Sequence, residues 1–183
     1  TLLSHVRTLS LQCEYMALAY KVVGKPPARN REAGFSTLLK IIVDQQISVQ
    51  AGAAIWGKLE HHFGEISAQR IPEACPSILK NCGLSKQKIT YAFILAQTVR
   101  SGSLNFEELH KLDDEMAIRQ LIAIKGIGIW TAEIYLMLAA GRPDIFPAGD
   151  LALQVAAQNL LGLKERPKVK EFRCMAKRWS PYR

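Results

Sequence analysis

Apolar residues recur at helical spacing along almost the whole chain, and no stretch shows the apolar–polar alternation of a β-strand. The clearest stretch is a stripe whose members lie at positions i, i+3, i+4, i+7, i+8 and i+12, namely Phe35, Leu38, Leu39, Ile42, Val43 and Ile47. Residues at this spacing share one face of a helix, and such an apolar face packs against a core. The pattern predicts an all-α protein in which this face is buried.

Glycine and proline residues divide the first half of the chain into separate helices. Residues from about 5 to 22 form one amphipathic pattern that ends at Gly24. The helix that follows the apolar stripe stops at Gly64. A short helix is predicted to begin at Pro72 and to close at residues 82–84.

Polar side chains that accept hydrogen bonds mark the starts of the later helices. Ser85 is a predicted N-cap, and either Asp113 or Asp114 caps the helix that leads to the middle of the chain. Asp150 stands at the head of a helix that runs to Leu161. These boundaries are local predictions, because each depends on one capping residue and the apolar pattern beside it.

The length of 183 residues is enough to bury a core. We expect a single domain over residues 1–183 with two helical lobes and a cleft between them. The central lobe covers about 35–145, and the N- and C-terminal helices form the other lobe.

A Gly-x-Gly turn at Gly126 and Gly128 lies between two apolar helical patterns. Glycine adopts positive φ at little steric cost and places no side chain between the backbone and a ligand. The residues after the turn follow helical spacing on a stripe formed by Trp130, Ile134, Met137 and Leu138. The first N–H groups of a helix lack intrahelical acceptors and suit a phosphate. The turn is therefore either a phosphate-binding site or an ordinary corner whose glycines serve only as caps.

Basic residues outnumber acidic ones in this chain. There are 24 Lys plus Arg against 16 Asp plus Glu, which gives a net charge of +8 and a pI near 9.5. Such an excess favours a polyanionic partner such as nucleic acid. A basic soluble protein without such a partner has the same composition, so charge alone does not decide.

The cysteines are scattered and include no C-x-x-C pair; they are Cys13, Cys75, Cys82 and Cys174. We expect free thiols in a reducing compartment. The four histidines are not spaced as a metal site. We also expect no signal peptide and no membrane-spanning helix, because no apolar run approaches the necessary length.

Five short motifs occur in an order that resembles a known family. Gly126–Glu133 reads Gly-Ile-Gly-Ile-Trp-Thr-Ala-Glu, Phe146–Asp150 reads Phe-Pro-Ala-Gly-Asp, and Trp179–Arg183 reads Trp-Ser-Pro-Tyr-Arg. Asp-Gln-Gln-Ile-Ser at Asp44–Ser48 and Gly-Leu-Ser-x-x-Lys at Gly83–Lys88 lie upstream. Over most of the chain this set is similar to the helix-hairpin-helix (HhH-GPD) base-excision DNA glycosylases. Within them it resembles the alkylation-repair branch, of the 3-methyladenine DNA glycosylase II type.

The resemblance implies that Asp150 carries catalysis. Loss of a purine base passes through an oxocarbenium-like sugar, which a fixed carboxylate stabilises while it orients or deprotonates a water. Asp150 is also expected to be an N-cap, and the two roles are compatible. Members that cleave the DNA backbone carry a Schiff-base lysine at the position of Trp130, and tryptophan cannot form an imine. Trp130 is then either a surface that stacks on the extruded base or a helix core residue.

The resemblance also implies a set of DNA-contacting residues, which are Lys125, Gly126, Ile127, Gly128, Thr131, Gln45, Gln46 and Ser48. Gln46 matches the place where the family inserts a wedge into the gap left by a flipped nucleotide. The alternative is a solvated Gln46, with Ile47 as part of the buried stripe. The family's hairpins often hold a monovalent cation, Na⁺ or K⁺, through backbone carbonyls and without side-chain ligands. An iron–sulfur cluster is not expected, because the closing C-x₂-C of its cysteine loop is absent.

These features predict a base-excision-repair enzyme that hydrolyses the N-glycosidic bond of alkylated purines flipped out of double-stranded DNA. Its expected substrates are of the 3-methyladenine and 7-methylguanine type, and no AP-lyase activity is expected. The alternatives are a non-catalytic helix-hairpin-helix DNA-binding module and a glycosylase for other damaged bases. We expect a monomer with no membrane partner, located in the cytoplasm and nucleoid if bacterial and in the nucleus if eukaryotic.

Overall fold

The computed structural model describes all residues 1–183 and contains twelve α-helices, one 3₁₀ helix and no β-strand, which confirms the predicted all-α class. The helices are α1 (Leu2–Gln12), α2 (Glu14–Val23), α3 (Phe35–Asp44), α4 (Val49–Phe63), α5 (Arg70–Glu73), α6 (Pro76–Asn81), α7 (Lys86–Arg100), α8 (Phe106–Lys111), α9 (Asp114–Ile122), α10 (Ile129–Leu138), α11 (Leu151–Leu161) and α12 (Val169–Ala176), followed by the 3₁₀ helix Lys177–Trp179.

The chain divides into two compact units. The central unit comprises Arg31–Tyr135, and the terminal unit comprises Thr1–Asn30 together with Leu136–Arg183. The sequence places the end of the central lobe at about residue 145, whereas the observed division falls inside α10. Residues 136–145 therefore belong with the terminal helices.

Helix α3 supplies much of the core of the central unit. The predicted stripe is buried over Phe35–Val43, and α3 packs against α4 and α7. Ile47 is the exception and the prediction for it is wrong, because α3 ends at Asp44 and Ile47 is 37% exposed. Gln45 leaves helical geometry with φ −55° and ψ 129°, which directs the chain away from the buried face.

Two predicted helices are each divided in the structure. The pattern over residues 5–22 is α1 and α2, separated at Cys13, whose φ of −146° and ψ of 118° are extended. No glycine or proline marks this break, so periodicity alone does not reveal it. Pro72 lies inside the short helix α5 and does not begin the helix that ends before Cys82. That helix, α6, begins at Pro76, a position where the missing N–H costs nothing.

The core of the terminal unit is built around aromatic residues. Its buried members are Phe146, Ala148, Ala157, Phe172, Ala176 and Trp179. The ring of Phe146 meets that of Phe172 edge-on at a centroid distance of 4.8 Å, and it lies 6.0 Å from Trp179. This packing fixes the segment that leads into Asp150, because Phe146 and Ala148 both belong to the core.

Candidate functional site

The turn between α9 and α10 is anchored by two buried isoleucines. Ile124 and Ile127 are 7% and 4% exposed, and the Ile127 N–H donates to the Ile124 carbonyl at 3.0 Å. Gly128 is exposed, and a Cβ added to it would meet no atom within 4 Å. The backbone at Gly128 is therefore open to an approaching ligand, immediately before the first residue of α10.

Gly126 is required for a different reason from Gly128. Its φ is +99°, a conformation that L side chains rarely adopt, and a Cβ there would overlap the ring of Tyr91. Tyr91 comes from α7, where its hydroxyl accepts a hydrogen bond from Gln87 Nε2 at 2.5 Å. Sequence reasoning missed Tyr91, because nothing local in the sequence connects it with the turn.

The side chain of Gln45 holds the turn from the inside. Its Nε2 donates to the Gly126 carbonyl at 3.0 Å and to Thr131 Oγ1 at 2.9 Å. Both Gln45 and Thr131 are expected from the sequence to contact DNA. The structure instead joins their side chains, and Thr131 is only 2% exposed. The two side chains therefore support the turn, and a contact of either residue with DNA stays a prediction.

The segment Gln46–Ser48 is exposed at the junction of α3 and α4. Gln46 has φ +57° and is the single non-glycine residue with positive φ. Such a backbone persists only where the surroundings hold it, and it costs about 1–3 kcal/mol. Ser48 caps α4, with its Oγ accepting from the Ala51 N–H at 3.2 Å. The predicted wedge residue thus stands on a constrained and exposed corner.

Lys125 and Trp130 lie on either side of the glycines. Lys125 is exposed in the turn, whereas Trp130 is half-buried in the first turn of α10. The predicted apolar stripe of α10 is not its most buried face, because Thr131, Ala132, Glu133, Tyr135 and Leu136 are buried. The Tyr135 hydroxyl accepts the Gly34 N–H at 3.0 Å, and burial raises the pKa of Tyr135 to about 12.

Asp150 caps α11, as predicted. Its Oδ1 accepts from the Leu153 N–H at 2.9 Å, and its own N–H donates to the Pro147 carbonyl at 2.8 Å. The side chain of Gln154, which is 8% exposed, donates from Nε2 to the Ala148 carbonyl at 2.7 Å. Asp150 is half-buried. Hydrogen bonds to the Pro147 and Ala148 carbonyls fix the loop that carries its carboxylate.

An ion pair ties the chain upstream of this loop to the Trp179–Arg183 motif. Arg183 Nε lies 2.8 Å from Asp144 Oδ1, and Arg183 Nη2 lies 2.9 Å from Oδ2. Ser180 Oγ donates to the same Oδ2 at 2.8 Å. Burial acts to raise the pKa of Asp144, but the bonds from Arg183 and Ser180 outweigh it and hold this pKa below its ordinary value.

Replacement of Arg183 by alanine is expected to destabilise the protein by about 1–2 kcal/mol at neutral pH, because a bidentate and partly buried pair is lost. A carboxyl with a depressed folded pKa stabilises above its unfolded pKa of about 3.9, and this contribution disappears as pH falls through the folded pKa. Urea unfolding should therefore give a smaller difference between wild type and R183A at about pH 3 than at neutral pH. If the difference in free energy of unfolding did not depend on pH, the Asp144–Arg183 ion pair would not be its cause. As a control, R183A should change the free energy of unfolding little in a protein that already carries D144N.

The structure offers no conventional metal site, since no three His, Cys, Asp or Glu side chains group as possible ligands. None of the helices combines the length and apolar character that a membrane crossing requires. All four cysteines are free thiols.

Residues 39–181 match the family described as HhH-GPD superfamily base excision DNA repair protein. The Bacillus subtilis protein YfjP is 30% identical over 156 residues, which cover 81% of this chain and 54% of that protein. DNA-3-methyladenine glycosylase 1 of Schizosaccharomyces pombe is 30% identical over 154 residues, which cover 80% of this chain and 68% of the enzyme. The chain thus spans about half the length of the first relative and about two thirds of the second.

Solved structures of 3-methyladenine DNA glycosylases have the same fold as this chain. The S. pombe 3-methyladenine DNA glycosylase Mag1, in complex with abasic DNA, superposes with a TM-score of 0.91 at 27% identity, over 98% of this chain and 90% of Mag1. A DNA-3-methyladenine glycosidase from Bacillus halodurans gives a TM-score of 0.83 at 33% identity, over 97% of this chain and 83% of that one.

Proposed function

Because the chain belongs to the HhH-GPD superfamily of base excision DNA repair proteins, we propose that it is a DNA glycosylase that releases alkylated purines from duplex DNA. The observation that carries the proposal is the fixed carboxylate of Asp150 on a rigid Pro-Ala-Gly-Asp loop, in a chain that also has the open glycine turn. The names of the relatives support alkylated purines, and abasic DNA, as bound by Mag1, is what remains after a base is lost.

DNA binding in this proposal begins at the turn. The exposed backbone at Gly128 and the first N–H groups of α10 receive a phosphate, and Lys125 adds positive charge. Ile127 acts from inside by anchoring the turn. Such contacts hold the duplex without reading its sequence, which suits an enzyme that must find damage anywhere. Gln46 is the wedge, on the exposed corner described above.

Catalysis in this proposal uses the carboxylate of Asp150. As the glycosidic bond breaks, positive charge develops on the sugar, and a fixed negative group stabilises it. The same carboxylate orients or deprotonates the water that attacks the anomeric carbon. An alkylated purine is already cationic and leaves readily, so the protein has little need of an acid that protonates the base. The Asp150 carboxylate accepts the Leu153 N–H, and Gln154 fixes the loop that carries it through the Ala148 carbonyl, so the carboxylate needs little reorganisation during the reaction.

A monovalent cation at the turn is also part of the proposal. The peptide carbonyls of the turn would hold it, and its charge would neutralise part of the bound phosphate. The carbonyls of Ile124 and Gly126 each accept one hydrogen bond within the protein, and a carbonyl oxygen has a second lone pair for an ion.

We propose further that the enzyme is monofunctional and monomeric. Trp130 supplies no amine for a Schiff base, so borohydride should trap no covalent complex on lesion DNA. The product should be an intact abasic strand that breaks only after alkali or heat.

W130A should slow excision by roughly tenfold to a hundredfold if the ring stacks on the base, and W130F should retain most of the activity.

The decisive assay follows release of 3-methyladenine, 7-methylguanine, hypoxanthine and ethenoadenine from matched duplexes under single-turnover conditions. A trapped adduct that disappears in K125A would mean that the enzyme is bifunctional. Binding to all four duplexes without release from any would instead identify a non-catalytic DNA-binding module.

A further inference from the structure

The start of α7 is organised around the Gly83–Lys88 motif. Gly83 has φ +108°, and a Cβ there would approach Ile55 Cγ1 to 3.1 Å. Ser85 is the N-cap, and its Oγ accepts the Lys88 N–H at 3.3 Å. The motif therefore fixes where α7 begins and, with it, the direction in which Lys88 leaves the helix.

Lys88 reaches the end of another helix. Its Nζ donates to the Val43 carbonyl at 2.6 Å and to the Gln45 carbonyl at 2.7 Å. Carbonyls at a helix C-terminus lack intrahelical donors and form the negative end of the helix dipole, so an ammonium group suits them. Burial lowers the pKa of Lys88, and the nearby Asp44 carboxylate opposes this effect in part.

The same face of α7 also supports the glycine turn. Lys88 and Tyr91 are three residues apart and therefore share that face. Lys88 holds the Gln45 backbone, Tyr91 packs on Gly126, and the Gln45 side chain joins the two by its bond to the Gly126 carbonyl. These contacts form a closed triangle of α7, the corner after α3 and the turn. The corner at Gln46 is thus fixed relative to the phosphate-binding backbone.

We propose that Lys88 is a positioning residue that holds Gln45 and Gln46 beside the turn, so that Gln46 is presented to the DNA when a nucleotide leaves the base stack. The proposal rests on the proposed function and extends it to a residue that touches neither the DNA nor the base. Positive φ at Gln46 is unfavourable for a non-glycine residue, so this corner needs an external restraint. Without Lys88 two terminal carbonyls lose their donor and Gln46 relaxes toward negative φ, which reorients its side chain.

The test compares K88M with K86M on two substrates. Lys86 is exposed on the same turn of α7, so K86M removes the same charge without removing the restraint. The substrates carry one alkylated purine, either paired in a duplex or placed opposite an abasic site, where less unpairing remains to be done. K88M should slow single-turnover excision from the paired duplex by about tenfold or more, and far less from the unpaired one.

K88R should restore most of the rate, since a guanidinium also donates to two carbonyls. K86M should match wild type on both substrates. Equal losses for K88M on the two substrates, accompanied by a lower melting temperature, would mean that Lys88 only stabilises the fold and would overturn the proposal. An unchanged rate on the paired duplex would overturn it as well.

A second readout separates this proposal from the proposed function. A wild-type protein that releases no base from either substrate would overturn the glycosylase assignment. The positioning role of Lys88 would then be tested with DNA that carries 2-aminopurine next to an abasic site. The fluorescence of 2-aminopurine rises when that base unstacks. At saturating protein, K88M should give a smaller rise than K86M, and an equal rise would overturn the positioning role.

Discussion

The Asp150→Asn variant is expected to lose base release almost completely while it folds and binds DNA normally. Asparagine is as good an N-cap as aspartate, so its Oδ1 can still accept the Leu153 N–H and α11 keeps its start. The neutral amide cannot stabilise the positive sugar or deprotonate water, which should lower the rate by about a hundredfold to a thousandfold or more. DNA affinity should be equal or higher, because a negative charge is removed near phosphates.

Single-turnover release of 7-methylguanine and binding to abasic DNA measure the two effects separately. Asp150→Ala is the useful comparison, since it removes both the charge and the cap and should also cost about 0.5–2 kcal/mol of stability. Excision by D150N at the wild-type rate would remove Asp150 from catalysis and leave it only its role at the start of α11.

Replacement of the two glycines of the turn by alanine should have different consequences. G126A forces a side chain into positive φ and into the Tyr91 ring, so it should destabilise the protein by about 1–3 kcal/mol and displace the turn. G128A meets no neighbour, so its stability should stay within about 0.5 kcal/mol of wild type. Its methyl group nevertheless lies on the open backbone and should weaken binding by roughly tenfold.

Thermal unfolding and DNA affinity over a range of salt concentrations test this pair. Binding should weaken alike on duplexes of unrelated sequence, because the contact is to phosphate. The slope of log affinity against log salt concentration should be unchanged in G128A, which removes no cation. In K125Q its magnitude should fall by about 0.9 if Lys125 contacts one phosphate. Weakening confined to one sequence would mean that the turn reads bases.

Features that depend on a few neighbouring residues could be predicted from the sequence. The caps at Ser85, Asp113 and Asp150 each accept the N–H three residues later, as expected of their residue types. The buried stripe of α3 was equally predictable, because spacing alone defines a helical face. The exposure of Ile47 could not be predicted in this way, because it depends on where α3 ends and not on the spacing of apolar residues.

The supports of the candidate site could not be predicted, because they are contacts between residues far apart in the sequence. Gln45 and Gly126 are 81 residues apart, and Lys88 and Gln45 are 43 apart. Asp144 and Arg183 are 39 apart, and neither lies in a pattern that indicates an ion pair. Thr131 is a further example, since its motif position does not reveal that its side chain is buried and bonded to Gln45.

The triangle of α7, the Gln45 corner and the glycine turn also bears on how freely such a turn can be moved between proteins. The residues that spell the turn are contiguous, but the ring under Gly126 and the amide that holds its carbonyl come from two distant helical regions. A chimeric protein that received only residues 124–138 would carry the full motif but neither Tyr91 nor Gln45, which hold the turn in place. The motif is therefore recognisable in isolation but not transferable in isolation.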